Sequence, residues 1–238
     1  MEKAAQKPFW KVFTLPLPYG AAFALWAVLL AFFPGIDLSI SHLFFDETAG
    51  TFLSARMTWL HAISFSANLL VFGFLALVAG LYLLGLVRRR PLLVRERILS
   101  YFLLAFILGP TLLVTFGLKE HWGRSRPADV VEFGGTHQFT PYYLPSDECQ
   151  TDCSFSSGHS VRSFYFLTLY FAALAMGVAA KRRRQVLACV IAYGSLIALV
   201  RLAEGRHFFS DVTASAIFMA YIALVLYRVM LLRDGQKP

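Results

Sequence analysis

Six stretches of this sequence run without a formal charge for long enough, or almost long enough, to cross a bilayer, which takes roughly 17 to 25 helical residues. They are residues 12–36, 57–87, 98–118, 163–180, 185–200 and 212–227. The last three are short, and arginines such as Arg228 that reach towards the surface can lengthen them. With 58% hydrophobic and 15% charged residues, the sequence predicts an all-α polytopic membrane protein, a bundle of six transmembrane helices.

A single domain is expected over residues 1–238, because no internal repeat or low-complexity linker divides the sequence. The first apolar stretch is predicted to be a membrane span rather than a signal peptide, since it is too long and lacks a small-residue cleavage site. The fifth stretch is expected to continue through Leu202 and Ala203, with Arg201 inside the span.

Positive charge predicts the orientation, because cytoplasmic loops retain Lys and Arg. Of the 22 such residues, all but seven lie on the side of the predicted spans that holds both termini. Both termini are therefore predicted to be cytoplasmic, and residues 119–160 to face outwards. The cytoplasmic loops account for the net charge of +8, so this charge gives no reason to expect nucleic-acid binding.

A first polar cluster, KEHWGRSRP at residues 119–127, places Lys119, Arg124 and Arg126 at the outward end of the third span. One interpretation is that these side chains bind anionic lipid headgroups at the interface. An outward loop normally contains few Lys and Arg residues, however. Their retention indicates a site that requires positive charge.

A second cluster, CSFSSGHSVRS at residues 153–163, contains Ser157, Gly158 and His159 at the start of the fourth span. Together they offer a hydroxyl, an unhindered backbone N–H and an imidazole at the positive end of a helix dipole. The alternative interpretation is that Ser156 or Ser157 only caps the helix while Gly158 permits the turn.

A third cluster lies between the fifth and sixth spans, where Arg201 is followed by His207 and Asp211. Residues four apart share a helix face, so Asp211 is predicted to reach one ring nitrogen of His207 and to leave the other free. Asp211 is also a candidate N-cap of the sixth span. Arg201 indicates function, because a guanidinium within a span costs several kcal/mol unless it faces a partner or a polar cavity.

The three clusters together suit phosphoryl transfer. That chemistry needs fixed positive charge around the phosphate oxygens, a nucleophile in line and a proton for the leaving oxygen. The clusters supply at least three cations, two imidazoles and a carboxylate on one predicted membrane face.

The motifs resemble the type 2 phosphatidic acid phosphatase family, whose superfamily includes the vanadium-dependent haloperoxidases. The family pattern is Lys, six residues, Arg-Pro; then Ser-Gly-His; then Arg, five residues, His, three residues, Asp. Here it occurs as Lys119 to Arg126-Pro127, Ser157-Gly158-His159 and Arg201 to His207 to Asp211, within residues 118–211. Two positions depart from the usual pattern, with Ser156 in place of Pro and Val200 in place of Ser.

The resemblance implies a role for each motif residue. His207 would attack phosphorus to form a phosphohistidine, Asp211 would orient the His207 ring, and His159 would protonate the leaving oxygen and then activate water. The residues implied to bind the phosphate are Lys119, Arg126, Ser157, Gly158 and Arg201. No metal or other cofactor is implied.

Residues outside the motifs lead to weaker expectations. A metal site at His121 and His137 is disfavoured, because no ligand spacing supports it. Arg124, Glu204 and Arg206 are expected either to support the motif residues or to contact a headgroup. A disulfide between Cys149 and Cys153 is favoured over two free thiols.

The leading hypothesis is an integral phosphatase of the bacterial inner membrane whose site faces the periplasm. Its substrate would be lipid A, phosphatidylglycerol phosphate, phosphatidate or polyprenyl diphosphate. The long loop before Ser-Gly-His, with its Phe-Gly-Gly and paired cysteines, is similar to that of bacterial phosphatases that act on lipid A. The alternatives are a lipid phosphotransferase with the same site and a non-enzymatic transporter or binding protein for an anionic lipid.

Overall fold

The computed structural model describes residues 14, 17–88 and 96–232. Its helices are α1 (Leu17–Phe32), α2 (Gly35–His42), α3 (Trp59–Arg88), α4 (Glu96–Phe106), α5 (Gly158–Phe164), α6 (Leu167–Ala175), α7 (Ala180–Ala203) and α8 (Phe209–Leu226). Helix α4 continues as a π-helix over Ile107–Lys119, and α8 continues over Tyr227–Leu231. A short antiparallel hairpin pairs β1 (Phe45–Asp46) with β2 (Thr51–Phe52). Single 3-10 turns cover Leu53–Ala55, Pro127–Asp129 and Val131–Phe133.

Four helical segments in the described part of the chain are long and apolar enough to cross a membrane. They are Trp59–Arg88, Glu96–Lys119, Ala180–Ala203 and Phe209–Leu231. A bent pair, Tyr19–Phe32 and Gly35–His42, meets at 86° and gives a fifth if the pair counts as one span. Pro34 lies at this bend, where its ring disfavours a helical conformation in the preceding residue. The chain is thus mostly helical, with the apolar helices of a multi-pass membrane protein.

The stretch predicted as the fourth span is not one continuous helix. The structure divides it between α5 and α6, which are separated by a turn at Tyr165 and Phe166. The hydroxyls of Ser163 and Thr168 donate to carbonyls three residues earlier, at 2.8 and 2.7 Å. Such bonds compete with the regular helix ladder and bend it. The Tyr165 hydroxyl fixes the turn by donating to the Phe102 carbonyl at 2.9 Å.

Helix α5 lies at the centre of the bundle and packs against α3, α7, α8 and the π-helical end of α4. Its Phe164 ring lies against Gly194 of α7, where a Cβ atom would be 2.4 Å from the ring. The helices around it expose large apolar side chains, including Phe65, Leu69 and Leu77 of α3. These outward faces match a lipid environment, while α5 carries polar residues into the protein interior.

An aromatic cluster joins the hairpin, the long loop and the start of α8. Phe52, Phe133 and Phe208 are buried against one another. Gly205, with a φ of +63°, turns the chain after α7, and a Cβ atom there would be 2.4 Å from the Phe52 ring. The link between α7 and α8 is therefore packed in place, and this link contains His207.

The predicted orientation depends largely on residues outside the described part of the chain. These are Lys3, Lys7, Lys11, Arg89, Arg90, Arg95, Arg233 and Lys237.

Candidate active site

Backbone hydrogen bonds join the three polar clusters to one another. The amide of Ser154 in the second cluster donates to the carbonyl of Arg124 in the first at 2.8 Å. The amide of Ser157 donates to the carbonyl of Asp211 in the third cluster at 3.4 Å. Ala128, just beyond the first cluster, donates to the carbonyl of Gly205 at 3.0 Å. The structure thus brings together segments that lie far apart in the sequence.

The His207 ring is buried, and its Nδ1 atom lies 2.8 Å from the main-chain carbonyl of Ser154. A carbonyl oxygen only accepts, so Nδ1 carries the hydrogen and the neutral ring has its lone pair on Nε2. Burial, followed by the charges of Arg201, Lys119 and Arg126, lowers the pKa of His207 well below its usual value. The ring is therefore neutral at pH 7, with an unshared electron pair on Nε2.

Asp211 does not hold the His207 ring directly, which corrects the prediction from the sequence. Its Oδ2 atom is 3.9 Å from His207 Nδ1, too far for a hydrogen bond. Instead Oδ2 accepts from the Ser154 hydroxyl at 2.5 Å and from the Phe208 amide at 2.7 Å. Asp211 therefore fixes the neighbours of His207. Phe208 rather than Asp211 is the N-cap residue of α8.

Arg124 binds the Asp211 carboxylate. Its side chain is fully buried, and Nη1 donates to Asp211 at 2.5 Å while Nη2 donates to Asp37 at 2.8 Å. Its guanidinium also lies 4.3 Å from the centre of the Phe208 ring. Of the two roles open to Arg124, the structure supports an internal one, because the side chain has no access to a headgroup.

Lys119 and Arg126 share one anionic partner, Asp152 of the long loop. Both side chains form ion pairs with the Asp152 carboxylate. Arg126 also donates to the Asp152 carbonyl through Nε at 3.1 Å and Nη2 at 2.6 Å. Burial alone would raise the pKa of Asp152, but Lys119 and Arg126 outweigh it and lower the pKa. The two predicted phosphate ligands are therefore close enough to hold one anion between them.

Arg201 lies in the last turn of α7, as predicted, and is buried. Its Nη1 forms an ion pair with Glu204, and its Nε has no hydrogen-bond partner among the described residues. A buried guanidinium N–H without a partner is a ready donor to a phosphate oxygen. Arg206, in contrast, is exposed.

Ser157 and Gly158 bring the second cluster against the first. The Ser157 hydroxyl accepts from the Ser160 amide at 3.3 Å, so the residue does cap α5. A Cβ atom at Gly158 would lie 3.6 Å from Cε of Lys119. Capping holds Ser157 rigid beside the cations, and it is compatible with the predicted role of Ser157 in phosphate binding.

His159 is partly buried on α5, and its Nε2 lies 3.3 Å from the Asn68 amide nitrogen. The Asn68 oxygen accepts from Arg162 at 3.0 Å, so the amide group faces His159 with its N–H. Burial, then Arg201, Arg162 and Lys119, lower the pKa of His159 to about 3. The second imidazole is therefore also neutral at pH 7.

The predicted disulfide between Cys149 and Cys153 is present, with the two Cα atoms 5.6 Å apart. It closes a short loop around Asp152 next to the cations. His137 of the same long loop pairs with Glu148 at 3.4 Å. Within the described ranges, no group of three or more His, Cys, Asp or Glu residues is arranged to hold a metal ion.

Several residues of the site were not predicted from the sequence. Asn68 is the sole amide side chain of the stretch 57–87, and a polar residue in a span is a functional candidate by position. Asp37 follows the first apolar stretch directly and offers a similar signal. Ser154 contributes its carbonyl, and Asp152 is brought to the cations by the disulfide loop, so neither has a clear signature in the sequence.

The assembled site has the requirements of a phosphoryl transfer centre. One neutral imidazole has its lone pair on Nε2, a second is available for proton transfer, and three cationic side chains cluster around them. Preorganised positive charge of this kind stabilises the equatorial oxygens as the phosphorus centre reacts.

Comparison with known proteins places the chain in a family. The profile of the PAP2 superfamily matches residues 99–234. A lipid A 4′-phosphatase of Francisella tularensis subsp. novicida is 29% identical over 87% of this chain and 91% of its own length. A lipid A 4′-phosphatase of Rhizobium etli is 34% identical over 84% of this chain and 83% of its own length. Another, from Rhizobium leguminosarum, is 31% identical over 84% of this chain and 92% of its own length. No solved structure matches significantly. The chain belongs to the PAP2 superfamily.

Proposed function

We propose that this phosphoric monoester hydrolase removes the 4′-phosphate of lipid A through a phosphohistidine at His207. The observation that carries the chemistry is the convergence of His207 and His159 with Lys119, Arg126 and Arg201. The substrate follows from similarity to three lipid A 4′-phosphatases along most of the chain. The same site chemistry would also serve phosphatidylglycerol phosphate, phosphatidate or polyprenyl diphosphate.

In the first half of the reaction, the cations hold the phosphate oxygens while Nε2 of His207 attacks phosphorus. A bond forms between Nε2 and phosphorus as the bond from phosphorus to the lipid oxygen breaks. When the phosphate anion binds, it offsets the neighbouring cations, and His159 takes up a proton. His159 gives this proton to the lipid oxygen, which leaves as a hydroxyl. The Ser154 carbonyl stabilises the charge on the His207 ring through Nδ1–H.

In the second half, His159 acts as a base and takes a proton from water. The water oxygen bonds to phosphorus, the phosphorus to Nε2 bond breaks, and the electron pair returns to His207. Inorganic phosphate leaves, His159 releases its proton once the anion has gone, and both rings are neutral again.

We further propose six membrane crossings, made by α1 with α2, by α3, by α4 with its π-helix, by residues 163–180, by α7 and by α8. Both termini would be cytoplasmic and the site would face the periplasm of the inner membrane. Support comes from the charge distribution and from the positions of three site residues at helix ends: Lys119 at the end of the π-helix, His159 at the start of α5 and Arg201 at the end of α7. In this arrangement the lipid phosphate reaches the site while its acyl chains remain in the bilayer.

The test is phosphate release by the purified protein from a panel of envelope lipids, with lipid A included, in the presence and absence of a chelator. Mass spectrometry of the lipid A product identifies the position that lost phosphate. Release should persist in chelator. His207→Ala should abolish release, and His159→Ala should slow it by about 10² to 10⁴. Undiminished turnover by His207→Ala would rule out the proposed nucleophile.

The same experiment separates the alternatives. A phosphotransferase would release little inorganic phosphate until an acceptor lipid is added. A transporter or binding protein would retain lipid without turning it over, in the wild type and in His207→Ala alike.

A further inference from the structure

Glu204 is a buried carboxylate whose environment is built around Arg201. Its side chain has no solvent exposure and lies at the end of α7, three residues after Arg201. One oxygen, Oε2, pairs with Arg201 Nη1. The other, Oε1, accepts from Ser64 at 3.0 Å and lies 2.9 Å from Nδ1 of His61. Glu204 is therefore anchored to α3 through one oxygen while it binds the arginine through the other.

This arrangement determines which part of the Arg201 guanidinium remains for a ligand. The guanidinium is planar, so an ion pair at Nη1 restricts the orientation of the whole group. The contacts to Nη1 come from Glu204 and, at 3.5 Å, from Ser64. The Nε donor is buried and unpaired among the residues that the structure describes. The edge that carries Nε is thus kept for another acceptor.

Charge gives a second reason for the pairing. Arg201 is buried within an apolar helix, where an uncompensated guanidinium is costly. The Glu204 carboxylate neutralises it locally, so the fold can keep the cation in place before any phosphate binds. A carboxylate that faced the ligand would instead repel phosphate, but Glu204 approaches Arg201 from the side of α3.

We propose that Glu204 is a positioning residue for phosphate binding: it holds the Arg201 guanidinium so that the Nε edge faces the phosphate. This inference rests on the proposed function of Arg201 as a phosphate ligand. Glu204 does not contact the substrate, and it acts only through Arg201.

The test measures the affinity for vanadate, a phosphate analogue, and kcat/KM for phosphate release. It compares the wild type with Glu204→Gln, Arg201→Ala and the double variant. Glu204→Gln preserves the shape of the side chain but removes its charge, and it should weaken vanadate binding by about tenfold, as coupled neighbours do. In the Arg201→Ala background the same change should have little further effect. Glu132→Gln, an exposed carboxylate change in the outer loop, is the matched control and should behave as the wild type.

Chemical rescue provides a readout that a purely structural role would not affect. Added guanidinium should partly restore activity to Arg201→Ala, because Glu204 can bind it, but not to the double variant. Ser64→Ala, which loosens Glu204 without removing its charge, should weaken vanadate binding less than Glu204→Gln does. It also serves as the test if Glu204→Gln fails to fold.

Additive effects of the two substitutions, or unchanged vanadate affinity in Glu204→Gln, would overturn the role of Glu204. Absence of phosphate release by the wild type would instead overturn the proposed function. The vanadate affinities would still decide whether Glu204 positions Arg201 or has a purely structural role.

Discussion

Nδ1 of His207 lies 2.8 Å from the carbonyl oxygen of Ser154, and the Ser154 hydroxyl in turn lies 2.5 Å from Asp211. The carboxylate therefore orients the ring indirectly. We expect Asp211→Asn to lower kcat by about 10- to 100-fold, by analogy with residues that orient metal-bound histidines. Ser154→Ala should lose less activity, because the carbonyl remains. Steady-state kinetics measures the kcat of both variants. An unchanged kcat in Ser154→Ala, together with an inactive Asp211→Asn, would indicate direct contact between Asp211 and the ring.

Arg124→Met should destabilise the protein as well as inactivate it. The substitution leaves the buried carboxylates of Asp37 and Asp211 without their shared cation, a loss that typically costs about 3–5 kcal/mol. Thermal unfolding in detergent measures the effect. Arg126→Met is the matched comparison, because its partner Asp152 is largely exposed, and it should reduce activity with a much smaller loss of stability. Equal losses of stability would contradict the internal role of Arg124.

Asp152→Asn should strengthen the binding of phosphate analogues. The Asp152 carboxylate occupies Lys119 and Arg126, which the incoming phosphate also needs. Because exposed ion pairs are weak, the expected gain in vanadate affinity is about two- to fivefold. Asp147→Asn, an exposed residue of the same loop, is the control and should leave affinity unchanged. Weaker binding by Asp152→Asn would mean that Asp152 supports the cations rather than competing with their ligand.

Binding of vanadate at pH 7 should be accompanied by proton uptake. The pKa of His159 is lowered to about 3, so the ring is neutral before binding. A bound anion offsets the neighbouring cations and raises this pKa, so the complex takes up a proton and vanadate affinity falls as the pH rises through the new value. Calorimetry in buffers of different ionisation enthalpy measures the uptake. His159→Ala should reduce the proton uptake. Proton release on binding would contradict the protonation of His159 in the complex.

The helical class and the site motifs could be predicted from the sequence because both depend on local patterns. Long uncharged stretches indicated α3, α4, α7 and α8, and the continuation of the fifth span through Arg201 was confirmed. The bend within the stretch 163–180 was not predicted, because apolar composition does not reveal the hydrogen bonds of the Ser163 and Thr168 hydroxyls.

The three-dimensional partners of the motif residues were harder to predict. Spacing of four suggested that Asp211 would bind His207, but α8 begins only at Phe209, so the two residues do not share a regular helix face. The groups that orient the site residues lie far away in the sequence, with Asp37 reaching Arg124 and Asn68 reaching His159. Such contacts depend on how the helices pack, which no local pattern encodes.

The proposed mechanism depends on a phosphohistidine at His207, and trapping this intermediate is its strictest test. His159→Ala should still be phosphorylated by an activated aryl phosphate, which needs little help from an acid, and should then hydrolyse slowly. The substrate carries radioactive phosphorus, and the reaction is quenched under alkaline conditions. Labelled protein should accumulate, and peptide mapping should place the label on His207. Label on another residue, or turnover by this variant without any labelled protein, would rule out a phosphohistidine at His207.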